Sequence, residues 1–502
     1  MYDGRCTMNY GGFGVMRQIR FLFLFASLAV GVCHAQDVTI IYNGAKASVR
    51  QTVKDSVSVT SDGAVVNVES TFRNHKLTLL LKGKSDNGQL VLKTRGKAKV
   101  TLSGLDLTSQ EGAVLHLKNK KKVEIAAAKG TQNTLTITAC KDTANHKAAC
   151  IWAKDKIQFS GKGVLNVIAT GDGCRGVKSK KDITVNDLTL NVTTSGNNLG
   201  EKAFSPPGAP PAIPQGGPKS LPSGRFDGGS AFPGNFPPFQ GGRPDFGTKP
   251  DSIGRPDFPQ MPEGGGFGGK HKYVAPAKGI ASKRMITVNS GNISVRTSTA
   301  GAEGIEAKQG IVFNGGSVYV MATDDAINAD SCIVFNGADV TAISTGNDAV
   351  DSNPKNGAFS PFGSNEQSDE PAIIIRGGTV YAWSQIGSPE EGLDCDFASL
   401  VIEGGKVFSV GGGMGEMPSV PTNQSASQPT VLLSGISIVK DEPIQIYDAE
   451  GKLLDTVTIP FSLRRSASIL SSPSFKLGNT YTVRTQNYQK TFTLNENFTV
   501  VR

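Results

Sequence analysis

Residues 323 to 330 read TDDAINAD, and residues 346 to 353 read GNDAVDSN. Each sets an acid, a small residue, an aliphatic residue and a second acid or amide in the same order. The pattern recurs as EGIE at 303 to 306 and EGLD at 391 to 394, with steps of 22, 23 and 43 residues between successive motifs. Carboxylate and amide oxygens in such numbers suit calcium, which accepts about six to eight oxygen ligands at irregular angles. Histidine and cysteine do not cluster with these acids, which disfavours zinc.

A period near 22 residues is what one coil of a parallel β-helix requires, with coils stacked ~4.8 Å apart. A sequence repeat then becomes a column in space. Glu303, Asp325, Asp348 and Glu391 form one column, and Glu306, Asn328, Asp351 and Asp394 a second. Two residues further on, Lys308, Asp330, Asn353 and Asp396 make a third, and Asp324 adds a carboxylate beside Asp325. Two carboxylates ~5 Å apart repel by ~3 kcal/mol at an effective dielectric of ~20, and by under ~1 kcal/mol when fully hydrated. Several in one stack call for a cation, and calcium is the expected cofactor. The alternative is that the Asp and Asn side chains cap strand ends and turns through neighbouring backbone amides.

The elements that must carry these motifs are strands. Sixty glycines, few aromatics, short Val/Ile/Thr runs and no long 3.6-residue pattern point to an all-β protein. GIVFNGGSVYVMAT (310 to 323), CIVFNGADVTAIST (332 to 345), AIIIRGGTVYAWSQ (372 to 385) and SLVIEGGKVFSVGG (399 to 412) share one template of strand, tight turn and strand. DITVNDLTLNVTTS (182 to 195) and MITVNSGNISVRTS (285 to 298) are weaker copies. The acidic motif is the third strand of each unit, with relatives at GAVLH, ACIWA, RGVK and KGIA (112 to 281). Coils are expected from about residue 40 to about 415.

By strict alternation, Val318, Val340, Val380 and Val407 face the core. Tyr319, Thr341, Tyr381 and Phe408 then face outward, with Met321, Ile343, Trp383 and Val410 beside them. Such a row suggests a substrate-binding platform for sugar rings at Tyr319, Tyr381, Trp383 and Phe408. Burial under a long loop, for instance 354 to 370, is the other reading.

Several stretches depart from the repeat. Residues 1 to 35 look like a secretory signal: FLFLFASLAVGV follows Arg17 and Arg20, and Ala35 fits the cleavage site. Twelve apolar residues are too few to span a bilayer, which needs ~20. The chain is expected to be secreted or at the cell surface, with lipidation at Cys33 as an alternative that Val32 makes poor. Residues 36 to 430 form the coiled domain. Within it, residues 200 to 272 are Pro/Gly/Phe-rich and cannot bury a core. AFSP at 203 to 206 and again at 358 to 361 suggests that two insertions leave from one corner. Residues 431 to 502 read as antiparallel hairpins, expected to form a small C-terminal β-sandwich cap over the open end of the coils. The five cysteines beyond residue 35 are too few and too odd for a disulfide framework; they read as buried small residues, with Cys140 and Cys150 close enough to bridge. A formal net charge of +9 permits anionic partners without requiring them.

On its EGIE, DAIN, DAVD and EGLD motifs with NGG-type strand pairs, on KGIA before MITVNSGNISV, and on the closing SSPSFKLGNTYTV, the chain resembles a family of secreted bacterial carbohydrate-binding proteins. The resemblance covers about residues 37 to 500 apart from the low-complexity stretch. It implies a right-handed parallel β-helix of pectate-lyase-like topology, calcium at the stacked acidic motifs, and binding of cellulose-like or acidic polysaccharide without an established catalytic role. Arg175 and Lys178 stand where the family's acids are expected, so no calcium is expected at that coil, and Lys308 weakens the third column. The expected partner is a polysaccharide and not nucleic acid, and no segment is expected to span a membrane.

Two other functions remain open. A calcium-dependent polysaccharide lyase needs a base, for which Arg175, Lys178, Lys180 and Arg296 are candidates, although all but Arg296 lie about a hundred residues or more from the best acidic coils. A structural surface adhesin needs no sugar site. A polygalacturonase-like hydrolase is weaker, because Asp324-Asp325 has no accompanying Gly-His-Gly or second aspartate motif. GKS at 83 to 85 lacks the first glycine of a phosphate-binding loop, since Thr78 stands there.

Overall fold

Three ladders of parallel strands, advancing one rung per coil, organise the chain. The structure, a computed structural model, describes residues 36–141, 148–197, 277–354, 371–395, 398–412 and 419–502. No helix occurs among the described residues, so the molecule is all-β with parallel strands. None of them forms a helix long and apolar enough to cross a membrane. The expected signal at 1 to 35 and the low-complexity stretch at 200 to 272 lie outside the described residues.

The first ladder includes Ile183–Val185, Met285–Val288, Gly310–Phe313, Ile333–Phe335, Pro371–Ile375 and Ser399–Ile402, each paired in parallel with the next. A second runs through Thr189–Thr194, Asn292–Thr297, Ser317–Ala322, Asp339–Ser344, Thr379–Ser384 and Lys406–Gly411. The third carries the acidic motifs on Ile305–Ala307, Ile327–Ala329, Val350–Ser352 and Leu393–Asp394. It reaches back through Ile280–Ser282, Arg175–Ser179, Ala149–Ala153 and Leu115–Asn119 to Gln89–Thr94 and Val65–Ser70.

Alternation fills the interior. Val318, Val340, Val380 and Val407 are buried as expected, and Phe313 stacks on Phe335 at 5.2 Å between centroids. The turn template has a steric cause: Gly378 has φ +79°, and a Cβ there would lie 2.1 Å from the Ala338 carbonyl oxygen of the preceding coil. Beside it, Asn289, Asn314 and Asn336 each donate a side-chain N–H to the asparagine oxygen one coil back, beginning at Asn186, at 2.8, 2.8 and 2.7 Å.

The register ignores the long interruption: Thr189 pairs with Asn292, and Val177 with Ile280. The flanking strands correct the expected shared corner. The first interruption falls between the second and third ladders, after Thr189–Thr194, whereas the second follows Val350–Ser352 and precedes Pro371–Ile375, between the third and first. Cys140 and Cys150 are not bridged, and Cys150, Cys174 and Cys395 are buried.

At the far end, Leu463–Ser471 pairs antiparallel with Lys406–Gly411, so the last rung of the second ladder is covered by a strand of opposite sense. Thr430–Ile438 begins one residue before the expected boundary at 431. Its core is shared with a four-stranded antiparallel sheet comprising Pro443–Asp448, Leu453–Thr458, Thr480–Arg484 and Gln489–Thr493.

Candidate functional site

The third ladder brings the acidic motifs into register. Glu306 lies opposite Asn328, Asn328 opposite Asp351, and Asp351 opposite Asp394. Beside them the backbone carbonyls of Asp325, Asp348 and Glu391 accept N–H bonds from Gly304, Ala326 and Ala349, which stacks Glu303, Asp325, Asp348 and Glu391. Lys308, Asp330 and Asn353 follow as the third column, and Lys308 Nζ meets Asp330 at 2.8 Å. Asp324 is half-buried at the edge of this set, and Asp396 lies outside the described residues.

Where the columns begin, lysines neutralise them. Lys278 is buried and places Nζ 2.6 Å from Glu303 and 2.7 Å from Glu306; Lys308 lies 2.6 Å from Glu306. Burial works to raise the Glu306 carboxyl, but these two ammonium groups outweigh it and hold the group below its ordinary value. One coil on, compensation ends. Burial, and then the neighbouring carboxylates, raise Asp325 and Asp351, and burial pushes Asp348 up to about 9.

Amides bridge the gap partly. Asn328 Nδ2 donates to Asp325 Oδ2 at 2.8 Å and to Asp351 Oδ2 at 2.7 Å, and Asn353 Nδ2 donates to the same Asp351 oxygen at 2.6 Å. Asp351 Oδ1 is buried with no hydrogen-bond partner among the described residues. An orphaned acceptor of this kind costs ~1–3 kcal/mol, and more when charged. Among the described residues no three His, Cys, Asp or Glu side chains converge as a ready metal centre. The donor set is instead pairs of carboxylates separated by amides, an all-oxygen arrangement chemically suited to a hard cation.

The outward aromatic row is corrected by its surroundings. Trp383 and Phe408 are buried, and with Ile343 and Val410 they pack against Val431, Leu433 and Leu470 of the C-terminal region. Tyr319 and Tyr381 are half-buried at the margin of the same cluster. Trp383 donates its Nε1 hydrogen to the Phe408 carbonyl at 3.1 Å. The row is therefore a second core, covered by the C-terminal strands, and replacing Trp383 or Phe408 by alanine is expected to cost ~3–5 kcal/mol of stability.

Arg175 and Lys178 also sit elsewhere than their sequence distance implies. Lys178 pairs with Ala281 and Ala281 with Glu306, so only one rung separates it from the acids. Burial, then Arg175 and Lys283, push the Lys178 ammonium down to about 7.

A feature missed in the sequence lies on the same ladder. Lys93, Lys118, Lys154, Lys180, Lys283 and Lys308 occupy one position on successive rungs. The column is bounded by Glu69, 3.0 Å from Lys93, and by Asp330. Its signal was a lysine closing each third strand, as in VLHLK, CIWAK, VKSK and GIASK. Beside its early rungs runs a groove of about 500 Å³ lined by Lys93, Arg95, Lys118, Lys154, Lys180 and Trp152, among others. Trp152 is buried and meets His116 edge to face at 4.9 Å, with Lys180 Nζ 5.7 Å from the indole centroid. Its Nε1 hydrogen finds no acceptor among the described residues.

Comparison with known proteins finds a partial likeness. A model described as carbohydrate-binding domain-containing protein matches residues 56–203 and 267–349. A protein of that description from Acetivibrio thermocellus is 31% identical over 98 residues, 19% of this chain. The chain spans about a third of that relative, 34% of its length. A solved structure described as the polysaccharide lyase-like protein from C. thermocellum, a gadolinium derivative, aligns at TM-score 0.38 and 16% identity, covering 62% of this chain and 92% of the other. Across residues 56–203 and 267–349 the chain is similar to carbohydrate-binding domain-containing proteins.

Proposed function

We propose that this protein is a secreted, right-handed parallel β-helix that binds polysaccharide without cleaving it and is stabilised by calcium. The observation that carries the cation is the run of buried acids beyond the last lysine, ending in the orphaned Asp351 oxygen. Asp325, Asp348, Asp351 and Asp394, with Asn328 and Asn353, would hold calcium, and Glu391 closes the set. Glu303 and Glu306 are already occupied by Lys278 and Lys308, so they are assigned to the lysines. When bound, calcium supplies the positive charge that the buried carboxylates lack. Supporting the glycan is the similarity of residues 56–203 and 267–349 to carbohydrate-binding domain-containing proteins.

Thermal unfolding with and without a chelator tests the cation. Calcium that binds the folded form alone stabilises it by mass action, so chelation is expected to lower the melting temperature by roughly several degrees. Identical melts would exclude calcium from the ladder. Retention on insoluble cellulose and on polygalacturonate tests the glycan.

One observation favours a second reading as a lyase. Lys178, with its pKa lowered to about 7 and only a rung from the acids, has the basicity that proton abstraction beside a uronate carboxylate requires. Unsaturated product from polygalacturonate would decide for it, and its loss in Lys178→Met would assign the base.

A further inference from the structure

The groove beside Trp152 is separate from the acidic rungs and has no role in the reading above. Its walls carry Lys93, Arg95, Lys118, Lys120, Lys154 and Lys180 against the single carboxylate of Glu69, which Lys93 already engages. Lys118, Lys154 and Lys180 are exposed and stacked rung upon rung, so they present a line of positive charge rather than one point. A lone lysine patch would be an ordinary solvated face. Here the lysines line a concave groove of about 500 Å³ whose lining carries six lysine and arginine side chains and one carboxylate, so the charge is gathered in a ligand-sized recess rather than spread over a flat face.

We propose that this groove is a calcium-independent site for an anionic polysaccharide, whose carboxylate or sulfate groups lie along the lysine column. A linear acidic glycan repeats its charge at each sugar or disaccharide, as the column repeats lysine at each rung. A neutral glycan would leave the column unanswered. The inference rests on the proposed glycan-binding function but uses different residues from the cation site, so the two can fail separately.

The test is retention of the full chain, in chelator, on immobilised polygalacturonate, dextran sulfate and neutral cellulose, at low and high salt. The wild-type protein is expected to be held by at least one anionic polymer in chelator and released by salt. Lys118→Glu with Lys154→Glu is expected to weaken that retention by roughly tenfold per reversed charge while leaving cellulose retention unchanged. If charge reversal disturbs folding, Lys118→Gln with Lys154→Gln replaces it, with a smaller loss expected. Retention on polygalacturonate alone identifies carboxylates, and on dextran sulfate alone sulfates. Undiminished retention of the lysine variants overturns the groove while leaving polysaccharide binding intact. Failure of both anionic polymers in chelator, or tighter retention on single-stranded DNA than on either, also overturns it. Loss of cellulose retention as well would overturn the broader reading.

Discussion

One face of the third ladder is lysine-rich on its early rungs and carboxylate-rich on its later ones, and the two halves meet like-charge stacking differently. Lysine side chains are long, and Lys118, Lys154 and Lys180 are exposed, so their ammonium groups spread into water while their stems stay on the sheet. Repulsion between hydrated charges at rung spacing is under ~1 kcal/mol and is further screened by salt. Aspartate has one methylene and cannot retreat. Asp325, Asp348 and Asp351 are buried, so their charges must be neutralised by a proton or a cation. Side-chain length thus decides which half tolerates its repeat unaided and which needs a partner.

The junction gives the strongest test of this contrast. Lys278→Ala removes the buried cation from Glu303 and Glu306 and is expected to cost ~3–5 kcal/mol in urea unfolding; a loss below ~1 kcal/mol would show that the acids are hydrated and the contrast false. A pH series in chelator comes next. Asp348 rises from 3.8 to about 9 on folding, so between those values the folded state holds more protons than the unfolded. Its contribution is fully present below about pH 4 and fades as pH rises through about 9, so the chelated melting temperature is expected to fall across that window. Calcium, which competes with the proton, is expected to restore most of the loss at the alkaline end. An opposite slope at the carboxylates would break the assignment. Asp351→Asn should then reduce the calcium-induced rise in melting temperature, while the chelated variant melts at or above the chelated wild type at pH 8. Smallest is Lys118→Ala in the basic half, expected to change stability by under ~0.5 kcal/mol. A large loss there would mean that the lysine column is structural.

Regular spacing made much of this readable before the structure. The step of 22 to 23 residues placed Glu306, Asn328, Asp351 and Asp394 in one column, and register pairing places them so. Alternation assigned Val318 and Val380 to the interior because a strand's two faces are fixed by its geometry. The same alternation put Trp383 and Phe408 outside the coil, but it could not say what lies over them; that depends on residues after 430. Distance along the chain misled in the same manner. Arg175 and Lys178 lie far from the acids along the chain because the interruption intervenes, whereas a ladder counts only rungs. The lysine column is not legible from the acidic motifs, in which Lys308 is a lone departure from the acids. It is the last member of a basic series.

The asparagine line at the turns has a practical corollary. Asn186 and Asn289 are 103 residues apart in sequence, yet the amide of one donates to the other at 2.8 Å, as between immediate neighbours. That turn joins the first and second ladders and keeps its rung although the added chain enters after Thr189–Thr194, so the corner between the second and third ladders is a natural grafting point. Foreign modules spliced there would ride on the scaffold as cargo, and the scaffold's fold would not register their size.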